Sequence, residues 1–129
     1  MKKLALILAT FLIALGTFAL SANPAQAETY QVKMGSDRAQ LVFEPAQFTV
    51  HPGDTVEFVM NKVAPHNVVF DPTLSADAAL AKSFSMSKLL FAPGTSYSIT
   101  IPEDAEKGAY PFYCTPHRGA GMNGKMIIE

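Results

Sequence analysis

The chain has 129 residues, of which 49% are apolar and 16% charged, with a formal net charge of −1. That composition excludes a disordered low-hydrophobicity segment and a collagen-like repeat, and the length holds one globular domain rather than two. No basic patch suggests nucleic acid, and no run of like charge suggests a solvated tail.

Met1-Lys2-Lys3 is a basic start, Leu4 to Leu20 is almost wholly apolar, and Ala25-Gln26-Ala27 is a small-x-small site after Pro24. The pattern predicts an export signal over residues 1–27, cleaved after Ala27, and a single domain over 28–129. A membrane anchor is the competing reading, but it needs about 20 apolar residues, and this run is shorter and broken by Thr10, Gly16 and Thr17. Both leader charges are lysines, so the mature chain keeps eight basic residues against eleven acidic ones. Cys114 is the one cysteine, which excludes an intramolecular disulfide in an exported protein.

From Glu28 onward, short runs rich in β-branched and aromatic residues alternate with turn formers every eight to twelve residues or so, the spacing of an all-β domain. The expected strands are Thr29–Met34, Leu41–Phe43, Gln47–Val50, Thr55–Asn61, Asn67–Phe70, Ser96–Ile101, Ala109–Cys114 and Lys125–Glu129. Val56, Phe58 and Met60 share one face of their strand, as do Tyr97, Ile99 and Ile101. Ser75–Ser83 is the one helical stretch. About eight strands and one short helix predict a two-sheet Greek-key β-sandwich, with a small closed barrel as the alternative. Pro111 lies inside a predicted strand and cannot donate to a ladder, so it must occupy an edge, a bulge or a non-bonded position.

The chemistry concentrates in Tyr113-Cys114-Thr115-Pro116-His117-Arg118-Gly119-Ala120-Gly121-Met122, with a second imidazole at His66 just before a β run. Two histidines, one cysteine and a weak axial methionine are the donors of a blue-copper electron-transfer site. Zinc competes, but the loop has no second cysteine or carboxylate to close a structural site. A nucleophilic Cys114–His117 pair is the enzyme alternative, and it lacks an oxyanion-hole motif; no catalytic residue is assigned. A copper-storage protein and a metal-free adhesive sandwich with a buried Cys114 also stay open. Met34, Met60, Met86 and Met126 belong to apolar runs and read as core, and His51 reads as a surface turn residue.

The stretch Phe112 to Met122, with Pro65-His66-Asn67-Val68-Val69-Phe70 and the opening Tyr30 to Asp37, resembles the plastocyanin family of cyanobacterial type, within the cupredoxin superfamily. The resemblance covers Glu28 to Glu129. It implies a cupredoxin-like sandwich holding one copper ion, Cu(I)/Cu(II), with His66, Cys114 and His117 as equatorial ligands and Met122 as the axial one. It also implies single-electron transport from cytochrome f to photosystem I, by a monomer peripheral to the membrane in the thylakoid lumen, the periplasm being the alternative. Docking would centre on His117 and Arg118, with Leu41, Pro65, Gly119 and Ala120 forming an apolar face and Tyr113 lying beside a more remote patch. Asn67 would support the cysteine sulfur through its backbone amide. A pseudoazurin- or amicyanin-like carrier serving a respiratory enzyme is the runner-up. The chain departs from the expected pattern at Ala39-Gln40, where glycine with a small or apolar neighbour is common, and at Pro111 and Thr115.

Overall fold

The computed structural model describes residues 26–129, so the leader expected over 1–27 falls almost wholly outside the described residues. Among the described residues, nine strands form two sheets. One holds β2 (Phe43–Glu44), β1 (Thr29–Met34), β4 (Thr55–Met60) and β7 (Ser96–Thr100), in that order. The other holds β3 (Gln47–Val50), β9 (Asn123–Ile128), β8 (Gly108–Tyr113), β5 (His66–Phe70) and β6 (Met86–Leu90). β1 runs parallel to β4 and β3 parallel to β9, while the other pairings are antiparallel. The chain changes sheet repeatedly, which sets residues far apart in sequence side by side at the sandwich ends.

Period-2 patterning is what seals the two layers. In β4, Val56, Phe58 and Met60 point inward and are at most 1% exposed, while the residues between them stay half-buried. Phe112 of β8 packs edge-on against Phe43 and Phe58, with ring centroids at 4.8 and 5.5 Å, and lies tilted against Phe70 at 5.1 Å. Each such ring contributes roughly 1.5–3 kcal/mol by leaving water, plus a smaller gain from the ring geometry. Met34, Met60 and Met126 are core residues as expected, and Met86 is half-buried.

Three local expectations are refined. The helix α1 spans Ala78–Phe84 rather than Ser75–Ser83, because Asp77 caps it: its Oδ1 accepts from the backbone N–H groups of Ala79 and Leu80. β6 was not apparent as a strand, since Met-Ser-Lys-Leu-Leu has no β-branched residue and no clean alternation; its pairing with β5 makes it one. Pro111 takes the edge position, its nitrogen meeting the chain past the end of β5. It faces Asp71 just beyond the end of β5, where the Asp71 N–H donates to the Pro111 carbonyl at 2.9 Å. The Asp71 carbonyl, which a proline cannot serve, accepts from the Ser75 hydroxyl at 2.6 Å instead.

Candidate metal centre

His66 opens β5, and Cys114 follows the last residue of β8, its antiparallel neighbour. Strand pairing thus brings together two side chains 48 positions apart. After Cys114 the chain enters a single 3₁₀ helix, Thr115–Ala120, started by Pro116 and ended at Gly121, whose φ of 83° is the left-handed conformation glycine adopts without steric cost. This tight turn returns His117 over Cys114. The His117 N–H donates to the Cys114 carbonyl at 3.2 Å, the Met122 N–H to the His117 carbonyl at 3.1 Å, and the Cys114 N–H to the Met122 carbonyl at 3.0 Å. Met122 is fully buried beside the cysteine that begins the turn.

The donor atoms converge. Cys114 Sγ lies 3.6 Å from His66 Nδ1 and 3.5 Å from His117 Nδ1, and all three lie within 4.8 Å of one another, forming the one such cluster among the described residues. Three donors in a plane around an ion with bonds of roughly 2.0–2.3 Å stand about 3.5–4 Å apart, so the cluster fits a trigonal metal site. His66 and Cys114 are buried and His117 is half-buried.

Surrounding groups hold the donors in place. His66 Nε2 lies 2.6 Å from the Lys62 carbonyl; a carbonyl can only accept, so Nε2 carries the proton and Nδ1 keeps its lone pair facing the sulfur. Gly35, at φ 82°, allows that arrangement, because a Cβ there would collide with the same Lys62 carbonyl. Next along this loop, Val63 takes a φ of 59°, a rare conformation for a β-branched residue and a mark of local strain beside the site. Asn67, 2% exposed, bridges the ligand-bearing segments. Its Oδ1 accepts from Thr115 N–H at 2.8 Å, and its Nδ2 donates to Thr115 Oγ1 at 3.1 Å and to the Ser87 carbonyl of β6 at 3.0 Å.

Electrostatics favour neutral donors before metal binds. Burial pushes the Cys114 thiol above the usual cysteine range, opposed by the backbone N–H groups of Asn67 and His117 that face the sulfur. Burial likewise lowers the His66 imidazole below its ordinary value, opposed by its bond to the Lys62 carbonyl and aided by neighbouring His117. Soft thiolate and thioether donors beside two imidazoles, held in a trigonal arrangement by a rigid β-scaffold, define a cupredoxin-type copper centre.

The family model for copper-binding proteins of the plastocyanin/azurin family matches residues 30–129. Plastocyanin of Nostoc punctiforme is 49% identical over all of this chain and 94% of its own, and that of Synechococcus is 52% identical over 99% and 93%. The oxidised plastocyanin of the fern Dryopteris crassirhizoma superposes with a TM-score of 0.66 at 33% identity, over 77% of this chain and 99% of the fern protein. The chain belongs to the plastocyanin/azurin family of copper-binding proteins, with cyanobacterial plastocyanins among its relatives, and is a blue-copper electron carrier whose cofactor is one copper ion.

Sequence reasoning missed three contributors to this site. Ser87 and the Lys62 carbonyl act through backbone oxygens, which residue identity does not reveal. Asp71 was not singled out either, yet its Oδ2 lies 3.7 Å from Arg118 Nη2, while the guanidinium stacks 3.8 Å over the Tyr113 ring. These contacts pin Arg118 beside an open groove that Leu74, Phe112, Tyr113 and Lys125 also line. His51 is a surface turn residue as expected, its side chain 58% exposed.

Proposed function

We propose that this chain carries single electrons from cytochrome f to photosystem I, with His66 Nδ1, Cys114 Sγ and His117 Nδ1 as the equatorial copper ligands and Met122 as the axial one. The observation that carries this is the asymmetry of the donor set. Cys114 and His66 are buried and immobilised, whereas His117 is half-buried in a turn whose neighbours Pro116, Gly119 and Ala120 are exposed and uncharged. A copper ion held here supplies a one-electron Cu(I)/Cu(II) couple. The protein's own part would be to hold these donors in one arrangement whichever state the ion is in. Asn67 keeps the cysteine loop against β5, the Lys62 carbonyl keeps the His66 ring from turning, and the N–H groups facing sulfur stabilise the thiolate.

A partner meets the His117 edge first, so the apolar surface around it suits a contact that forms and dissolves quickly, below about 1,200 Å². Arg118, 57% exposed although paired with Asp71, is the steering charge beside that contact. The high identity to plastocyanins favours this reading over an amicyanin- or pseudoazurin-like carrier. The leader pattern supports processing after Ala27 and delivery to the thylakoid lumen, with the periplasm as the second compartment. The test is flash-induced oxidation of the copper protein by photosystem I, and its reduction by cytochrome f, over a range of ionic strength. Arg118→Gln is expected to slow electron transfer to photosystem I several-fold at low salt, with an unchanged visible spectrum. Failure of the unaltered protein to react with either partner would overturn the assignment, and Arg118→Gln kinetics identical to the parent at all salt concentrations would remove Arg118 from it.

A further inference from the structure

At the sandwich end away from the copper centre, Glu28 precedes β1, Asp54 precedes β4 and Ile101 follows β7. The Asp54 side chain is buried there, the residue only 3% exposed, and its two oxygens are divided. Oδ2 accepts from the His51 backbone N–H at 2.8 Å, and Oδ1 accepts from the Glu28 backbone nitrogen at 2.9 Å. Residue 28 is clamped from its other side as well, because the Thr55 N–H donates to the Glu28 carbonyl at 2.9 Å. The surroundings are acidic. The Glu28 carboxylate accepts from the Tyr30 hydroxyl at 2.8 Å, the Glu103 carboxylate lies over Gly53, and the nearby side chains of Thr55 and Thr100 are neutral. The Tyr30 phenol is raised above its ordinary range chiefly by its bond to Glu28, with Asp54 adding to it. His51 Nδ1, 3.7 Å from Asp54, carries charge only when protonated, and among the described residues no lysine or arginine pairs with Asp54, Glu28 or Glu103. A buried carboxylate in such a place wants a cation.

We propose that leader removal supplies it: cleavage after Ala27 turns the Glu28 amide nitrogen into an α-ammonium group already seated 2.9 Å from Asp54 Oδ1, and the resulting ion pair locks β1 onto β4 in the mature protein. The inference rests on the processing site proposed above. In the step itself an export endopeptidase hydrolyses the Ala27–Glu28 amide. The C–N bond breaks, the hydroxyl of water passes to the Ala27 carbonyl carbon, and the nitrogen gains protons to become the ammonium. The effect is position-specific. One extra residue would leave an amide N–H on Asp54 but carry the charge up to about 3.6 Å further along the chain.

The test uses the Cu(I) protein in three forms: beginning at Glu28 with a free amine, beginning at Glu28 with an acetylated amine, and beginning at Ala27. All three keep a donor at the Glu28 nitrogen, and only the first places a charge there. Native-state hydrogen exchange of the Thr55 amide is expected to show roughly ten-fold greater protection in the first form than in the other two at pH 7, the margin between a charge-assisted and a neutral hydrogen bond. The ammonium is expected to titrate above the ordinary 7.7–8.0 or so of an α-amine. A raised folded-state value means that the advantage is complete below the unfolded value and lost as pH rises through the folded one. Asp54→Asn should abolish the difference between the forms, and all of them should keep the same visible spectrum. Equal protection in the three forms overturns the proposal without need of the Asp54 variant, as does an advantage that survives Asp54→Asn. The intact mass of the exported protein reports the processing site separately: a start other than Glu28 overturns the maturation step and leaves the copper assignment untouched.

Discussion

Asn67→Ala separates the rigidity of the copper cage from the identity of its ligands. Asn67 makes three hydrogen bonds while 2% exposed, so truncation strips a partner from the Thr115 N–H, the Thr115 hydroxyl and the Ser87 carbonyl together. Thr115 is exposed, and water can reach part of what is lost. Counting about 1 kcal/mol for each bond, with a further cost if the Ser87 carbonyl stays dry, the variant should lose about 2–4 kcal/mol. For a domain of this length that is a fall in Tm of the order of 10–20 °C. Calorimetry on the copper-free protein measures it without the contribution of metal binding. The same variant frees the Cys114 loop from β5, so the copper-loaded form should keep its four donors but show a broadened visible band and slower self-exchange. A Tm within 2 °C or so of the parent would refute the reasoning, because it would mean that β5 and the ligand loop are held together by strand pairing alone.

Cys114→Ser should abolish the intense visible band, since a hydroxyl is a poor, hard replacement for a thiolate; a retained blue colour would remove Cys114 from the ligand set. Met122→Leu should retain copper and raise the midpoint potential, because losing a donor weakens Cu(II) more than Cu(I); loss of all copper binding would show that Met122 is more than axial. Because burial holds the Cys114 thiol protonated, copper uptake must expel that proton. Apparent affinity in competition titrations should therefore rise about ten-fold per pH unit through neutrality and level off only above the usual cysteine range. Ala39→Gly should stabilise the fold by up to about 1 kcal/mol in urea titration, since Ala39 takes a φ of 60° that costs an L-residue about 1–2 kcal/mol, partly offset by the entropy glycine loses on folding.

The Cys-x-x-His loop, the all-β class and most strand positions were legible in the sequence because each rests on local information. Period-2 alternation marks a strand wherever one face is buried, and a Cys-x-x-His loop closed by methionine needs residue types unusual enough to be noticed together. Ala39 shows the limit of that kind of reading. Its departure from glycine was visible in the sequence, but the positive φ that gives the departure an energetic meaning belongs to the turn that Ser36 and Gln40 close through their backbones. β6 became a strand only by pairing with β5, and Thr115, which stood out only as an unusual residue, proved to be half of the bridge to Asn67. The same holds for Asp71 beneath Arg118, for the Lys62 carbonyl that sets the His66 tautomer and for the Glu28 nitrogen on Asp54. Each of these joins residues that the chain separates or uses a backbone atom that every residue has. Residue identity determined which chemistry was available. The folding of two sheets onto one another decided which atoms meet, because hydrogen bonds and ion pairs act over a few ångströms of space, whatever the distance along the chain.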